Sequence, residues 1–254
     1  VYYSATYTTK KVLENIAKGF GEIPVQKYDI TKGDIDELSI PDNEVLLVGV
    51  PVYAGRIPVQ AAKSLNNIKG NNTPAIVICV YGNRDYDDAL LELKDITIKN
   101  GFKIVSAGAF VAQHSIFPKL AYNRPNEDDR TEALAFGQQS YAIIKGLNSI
   151  ATFVDINVKG NYPYKEAKPI PLKPKANRKC NKCGTCGRLC PVGAIPDISP
   201  RKTDKSKCIS CGRCIVICPT KARHFGGLIY KIAGKKFVKN FSQPKANETI
   251  FVEL

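Results

Sequence analysis

The sequence predicts an α/β chain: a doubly wound, five-stranded parallel sheet followed by a small α+β module built on cysteine. Two observations carry that reading. Over the first 158 residues, apolar runs of strand length alternate with amphipathic segments of helical period, the pattern of βαβ units. Beyond them, eight of the nine cysteines fall between Cys180 and Cys218, as two copies of one spacing.

Taken in order, Val1–Tyr3 reads as the end of a first strand and Thr9–Phe20 as the first helix. Val25–Ile30 is a second strand. Glu44–Val50 (EVLLVGV) is almost continuously apolar, as a strand buried on both faces must be. A helix follows from Pro58 to about Ile68, with proline in its first turn. Ala75–Val80 is the fourth strand, Asp87–Asn100 a helix and Phe102–Val111 the fifth strand. After an irregular stretch to Arg124, Asp128–Leu147 returns to helical period. Residues 1–158 thus form one domain. Residues 159–178 hold Pro163, Pro169, Pro171 and Pro174 among lysines, which fits either a semi-rigid extended connector or a slack solvated linker. The cysteine module spans 179–226, and 227–254 is a basic, partly apolar tail.

Composition narrows the function classes. No apolar run reaches the 18 residues of a membrane span, and no export signal opens the chain. Thiols at this density then point to the cytoplasm. Methionine is absent even at position 1, and only three residues precede the first loop, so the chain is expected to lack its true start. The net charge of +14 suits acidic partners or simply a solvated surface.

The cysteine spacing is Cys180-x2-Cys183-x2-Cys186-x3-Cys190-Pro191, repeated 28 positions on as Cys208-x2-Cys211-x2-Cys214-x3-Cys218-Pro219. Such a repeat is an internal duplication. Two-residue gaps wrap a tight loop, with glycine where a Cβ would clash, and proline fixes the exit direction. A disulfide framework would need an oxidising compartment, and zinc sites usually show separated pairs of cysteines. The segments KCNKCGTCGRLCPVGAI and KCISCGRCIVICPTKA, with Gly184 and Gly212 in their turns, resemble two-cluster bacterial ferredoxins. The resemblance implies two 4Fe–4S clusters. In such proteins the fourth cysteine of each run serves the other cluster. One cluster would take Cys180, Cys183, Cys186 and Cys218; the other would take Cys208, Cys211, Cys214 and Cys190. Oxygen-sensitive clusters favour an anaerobic or microaerobic setting.

Ligands of doubly wound sheets sit beyond the carboxyl ends of the strands. Three loops there have suitable chemistry. The first, Ser4–Thr9, offers hydroxyls and free amides at a helix N-terminus, which favour a phosphate, although such a turn is often only a cap. The second, Pro51–Pro58, and the third, Tyr81–Asp88, each supply a tyrosine for a flat ring and a glycine for close backbone approach. With YSATYTTKKV, GVPVYAGRIP, YGNRDYDDALLEL and GAFVAQHS, these loops resemble the flavodoxin family, and nearly the whole chain resembles the flavodoxin–ferredoxin fusion proteins of anaerobes. The resemblance implies an FMN whose phosphate lies on Ser4, Thr6, Thr8 and Thr9. Its ring would lie among Pro51, Val52, Tyr53, Ala54, Gly55 and Arg56 on one side and Tyr81, Gly82, Asn83, Arg84 and Tyr86 on the other. Tyr7, also in the phosphate loop, stands where flavodoxins usually carry glycine. A bulky residue is expected to disfavour a positive φ there and to crowd the ligand. Two oxidised clusters at about −4 and a flavin phosphate at about −2 would leave roughly +8 on the loaded protein.

Other residues divide between chemical and structural roles. Cys79, inside the fourth strand, reads as a small buried hydrophobe. His114 is either a proton donor near the flavin edge or a structural histidine. Arg56 is either a positive charge for reduced flavin or a surface ion pair. Lys231, Lys235, Lys236, Lys239 and Lys245 read as a solvated face. The fusion-family resemblance implies an electron-transfer iron–sulfur flavoprotein working with redox partner proteins. The alternatives are an FMN-dependent reductase of a small electrophile fed by the clusters, and an iron–sulfur regulator associated with nucleic acid.

Overall fold

A computed structural model describes residues 1–33, 35–146 and 155–253. The sheet domain runs α1 (Thr8–Lys18), β1 (Leu38–Ile40), β2 (Leu46–Pro51), α2 (Val59–Leu65), β3 (Ile68–Gly70), β4 (Thr73–Tyr81), α3 (Ala89–Lys99), β5 (Phe102–Val111) and α4 (Glu127–Gly146). The expected end of the last helix at Leu147 lies outside the described residues. The cysteine module adds β6 (Lys175–Ala176), α5 (Thr185–Arg188), α6 (Arg213–Val216) and β7 (Arg223–His224). α7 (Leu228–Phe241) and β8 (Glu248–Phe251) close the chain. No described helix is long and apolar enough to cross a membrane.

β2, β4 and β5 pair in parallel, and Tyr2 bridges in parallel to both Gly49 and Asp29. Read across the sheet, the order of the five parallel segments is second, first, third, fourth, fifth, which is the flavodoxin-like doubly wound order. The first two expected strands shrink to those single bridges, because Val1–Tyr3 is only three residues and Val25 is exposed. The sheet also gains an antiparallel edge, as β8 pairs with β5 from Ser106–Phe251 to Ala109–Glu248. The helix expected to reach Ile68 stops at Leu65, since Ile68 instead enters β3 and pairs in parallel with β1.

β4 explains why the domain has two layers of helices. It is buried throughout. Successive residues point to opposite faces, so Ala75, Val77, Cys79 and Tyr81 meet Leu90 and Leu93 on one side. Ile76, Ile78 and Val80 meet Val12, Leu13, Ile16 and Phe136 on the other. Cys79 is a fully buried member of the first layer, and burial holds its thiol well above the usual range. α1 and α4 touch backbone to backbone. A Cβ on Gly137 would fall 2.0 Å from the Ile16 carbonyl oxygen. Gly137→Ala is therefore expected to destabilise the fold by about 1–3 kcal/mol despite alanine's better helix propensity, as urea unfolding would measure.

The proline-rich segment is neither slack nor free. Asp88 accepts the amides of Asn161 (2.9 Å) and Lys165 (2.7 Å), and the Tyr164 hydroxyl donates to Asp95 at 2.5 Å. Further along, Lys173 Nζ donates to the Cys208 carbonyl at 2.5 Å. The segment is thus a strap across the sheet domain that ends on the second cysteine run. The tail is equally fixed. Asn83 Nδ2 donates to the carbonyls of Phe241 (2.7 Å) and Gln243 (2.8 Å), and Tyr86 donates to Glu248 at 2.6 Å. The inward face of α7 packs Tyr230, Phe237 and Phe241 around Phe117.

Candidate functional site

The duplication seen in the cysteine spacing recurs in the backbone. Lys182 and Ser210 have φ of 60° and 59°, and Gly184 and Gly212 have φ of 74° and 82°. These residues sit 28 positions apart in pairs, and each glycine starts a one-turn helix that carries the third cysteine of its run. The sulfur environments match too. Ala194 N donates to Cys190 Sγ at 3.3 Å, and Ala222 N donates to Cys218 Sγ at 3.2 Å. All nine thiols are free. Cys218 lines one enclosed space together with Cys180, Cys183 and Cys186, so the fourth cysteine of the second run stands with the first three of the first. Among the described residues no three His, Cys, Asp or Glu side chains converge as for a single metal ion.

The sulfurs differ in electrostatic setting. Burial pushes Cys211 up to about 12 and Cys214 up to about 11. A hydrogen bond with Thr185 holds the exposed Cys183 below the usual thiol range. At Cys218, burial acts upward, but the Thr220 side chain and the backbone amides of Thr220, Ala222 and Arg223 outweigh it and lower the thiol. Arg223 is buried beside Cys186 and Cys214, with its Nε unpartnered. Its other nitrogens donate to the Pro200 and Arg201 carbonyls and to Thr203, and among the described residues no carboxylate pairs with it, which suits a site whose bound group carries negative charge.

The second cysteine run sits on the loops at the sheet's carboxyl end. Cys211 packs in the same apolar cluster as Tyr3 and Tyr53. An added Cβ on Gly212 would lie 3.5 Å from Thr6 Cγ2 and 3.6 Å from Ser115 Cβ. Arg213 is buried, and its Nη1 donates to the carbonyls of Ser4 (3.2 Å) and Ala5 (3.3 Å). Its guanidinium lies over the Tyr7 ring, 4.6 Å from the centroid. Tyr7 itself adopts φ 64°, contrary to the sequence expectation. The left-handed turn costs a non-glycine residue about 1–2 kcal/mol. A desolvated cation–π contact contributes a similar amount, so Arg213 can hold Tyr7 in the turn and draw its ring away from the phosphate loop.

Two adjoining cavities open at this junction. The smaller, about 70 Å³, is lined by Ala5, Thr6, Thr8, Thr9, Pro51, Val52, Tyr53, Tyr81 and Gly82, with Ala112–Ser115. The larger, about 940 Å³, shares Thr6, Thr8 and Gln113–Ser115 and extends between α1, Pro118–Pro125 and Gly212–Val216. Of the sequence candidates, Thr6, Thr8, Thr9, Pro51, Val52, Tyr53, Tyr81 and Gly82 thus share one wall. The others do not line either cavity. Ser4 Oγ accepts the Lys10 amide at 3.1 Å, inside the loop. Ala54 and Gly55 form a turn with φ of 54° and 86° against Asp87. Arg56 forks onto Glu92, with both bonds at 2.7 Å, and donates to the Lys165 carbonyl. Of its two sequence readings, the ion pair is the one formed. Asn83 holds the tail, Arg84 pairs with Asp87, and Tyr86 is buried against Glu248.

Sequence reasoning missed Gln113, Ser115 and Arg213. The first two follow the fifth strand beside His114, where the strand-end rule pointed; nothing in the spacing marked Arg213. The fit of a polar ring can be tested on the wall itself. The Tyr81 side chain lines the smaller cavity, but its hydroxyl is buried away from that space, near Glu248 and Asp85. The hydroxyls and amides of Thr6, Thr8 and Thr9 at the start of the 11-residue α1 suit a phosphate. These donors therefore fit the phosphate of an FMN, whose ring is too large for the 70 Å³ space alone and would extend into the adjoining cleft.

A family model described as a 4Fe-4S binding domain matches residues 202–224. No curated protein sequence matches the chain. Among solved structures, a flavodoxin from the domain Archaea is 16% identical over 57% of this chain and 95% of its own, at a TM-score of 0.41. Oxidised flavodoxin 1 from Bacillus cereus is 16% identical over 58% and 96%, at 0.42. Rubredoxin oxygen:oxidoreductase from the anaerobe Desulfovibrio gigas is 16% identical over 58% of this chain and 36% of its own, also at 0.42. The fold class rests on the strand order given above.

Proposed function

We propose that the protein is an electron-transfer iron–sulfur flavoprotein in which two 4Fe–4S clusters exchange electrons with an FMN. The observation that carries this reading is the seating of the second cysteine run on the sheet's loops, with Cys211 packed against Tyr3 and Tyr53 and Gly212 against Thr6. A cluster held there would lie next to the flavin cavity. Clusters pass electrons singly, whereas FMN exchanges one or two, so the pair joins one-electron carriers to two-electron chemistry.

The chain's own residues set the terms of that exchange. Thr6, Thr8 and Thr9 hold the phosphate at the positive end of α1. Pro51–Tyr53, Tyr81 and Gly82 wall the ring. Cys180, Cys183, Cys186 and Cys218 hold one cluster, and Cys208, Cys211, Cys214 and Cys190 hold the other. The amides of Ala194 and Ala222 donate to the two crossing sulfurs, Cys190 and Cys218, and stabilise negative charge on them. Buried Arg213 and Arg223 add positive charge on the same side. The net charge of +14 favours acidic redox partners, and free thiols at this density favour a reducing cytoplasm.

A second reading, reduction of a small electrophile at the flavin, is favoured by the 940 Å³ cleft that adjoins the smaller cavity. Its volume falls in the upper part of the range of about 300–1,000 Å³ typical of ligand pockets. The test is anaerobic purification with metal, sulfide and flavin analysis. About eight irons, eight sulfides and one FMN per chain are expected. Zinc in place of iron, or iron with no affinity for FMN, would refute the reading. Turnover of a small acceptor by the reduced protein, without a partner protein, would favour the reductase form.

A further inference from the structure

His114 lies where the two cavities meet and lines both. Its Nδ1 accepts two backbone amides, Ile116 N at 3.1 Å and Phe117 N at 3.2 Å. Both partners are N–H groups, so Nδ1 carries no proton and the ring proton must be on Nε2. The ring is clamped between Phe117, with centroids 5.5 Å apart, and Phe237, at 5.3 Å. Gly82 completes the clamp, because a Cβ there would fall 2.7 Å from His114 Cδ2. No residue among those described accepts the Nε2 proton, and Nε2 is not among the buried atoms lacking a partner. The donor therefore faces the open space of the cavities.

We propose that His114 is a fixed, neutral hydrogen-bond donor to the ligand of this cavity, stabilising the negative charge that the FMN ring gains on reduction. This rests on the FMN reading given above. The imidazole is not an acid in this role: protonation would place a hydrogen on Nδ1 against two amide hydrogens. Burial and nearby Arg84 act in the same direction, lowering His114 to about 4. A donor that stays neutral binds the reduced ring more tightly than the oxidised one, because hydrogen bonds to charged groups are about twice as strong as neutral ones.

The experiment uses the full chain with its clusters reconstituted anaerobically. Nitrogen–proton correlation spectra of the two histidines, His114 and His224, report the tautomer directly, and His114→Asn identifies the signal by its loss. FMN affinity is then measured for the oxidised cofactor and after reduction with dithionite. In His114→Asn, Oδ1 can still accept the two amides, but nothing replaces the Nε2 donor. Reduced FMN is expected to bind about tenfold more weakly and oxidised FMN less than about threefold more weakly. If oxidised affinity is unchanged, that tenfold change is about 30 mV for a two-electron couple. His114→Gln restores a donor at the Nε2 position and is expected to recover most of the loss. Equal weakening of both forms, no weakening, or a proton on Nδ1 at pH 7 would overturn the proposal. If no form of the protein with intact clusters binds FMN, the flavoprotein reading falls with it.

Discussion

Cys218→Ser is expected to remove the cluster bound by the first cysteine run, 28 residues upstream in the repeat, and to leave the one bound by its own run. Iron should fall from about eight to about four per chain, with the magnetic spectrum of the reduced protein losing one of two interacting centres. One side of this crossing has a geometric basis. Cys218 shares an enclosed space with Cys180, Cys183 and Cys186 and with none of Cys208, Cys211 and Cys214. Cys190→Ser is the mirror experiment. It is expected to remove the cluster beside the flavin loops, so that FMN stays bound but is no longer reduced through the remaining centre. If either substitution instead emptied the site formed by its own run, the crossing would be wrong and the two loops would be independent.

The second large effect is expected at Arg124. Its Nε donates to Asp129 at 3.1 and 2.9 Å, and its other nitrogens reach Asp129 and the Lys245 carbonyl. Asp129 is almost fully buried. Removing one partner of a buried pair strands the other charge, so Arg124→Ala is expected to cost about 3–5 kcal/mol at pH 7, measured by anaerobic urea unfolding. The pH dependence distinguishes this cause from lost packing. In the intact protein, burial acts upward on Asp129, but Arg124, the Asn126 amide and Asn247 outweigh it and hold the carboxyl below its ordinary value. A depressed carboxyl contributes stability that is present above its unfolded pKa, near 3.9, and is lost as pH falls through the folded value. Without Arg124 the upward effect of burial is no longer balanced by that cation. The penalty of the substitution should therefore shrink as pH is lowered towards 4. A penalty constant from pH 7 to pH 4 would point to lost packing.

Much of the sheet domain was legible because its strands are buried on both faces. EVLLVGV, the run before Tyr81 and Phe102–Val111 cannot be mistaken for surface segments, and the order of βαβ units follows from them. The duplicated cysteine loops were legible because the repeat states its own spacing. What escaped was short or held from a distance. β1 and β3 have three residues each, too few for a period to show, and each is defined only by the other. β8 is four residues in a basic tail and becomes a strand only because β5 offers an open edge. The strap's anchors, Asp88 and Arg56, lie more than seventy residues before the amides and carbonyls they bind. Tyr7 teaches the same lesson in reverse. The sequence correctly marks a position that wants glycine, but the Arg213 ring contact that accommodates tyrosine there lies 206 positions away.

Because β8 covers the free side of β5, the cysteine module is topologically an insertion, with both its ends returned to the same sheet. On the ribosome, the parallel strands emerge long before Glu248–Phe251, so the nascent domain must wait, one flank bare, while the metal-binding loops are being made. Closure of the sheet is thereby placed after the cysteine loops have been made. Protease nicking in the loops between the two units would leave fragments still held by a shared edge, and a simple split into two independent halves would not reproduce either one.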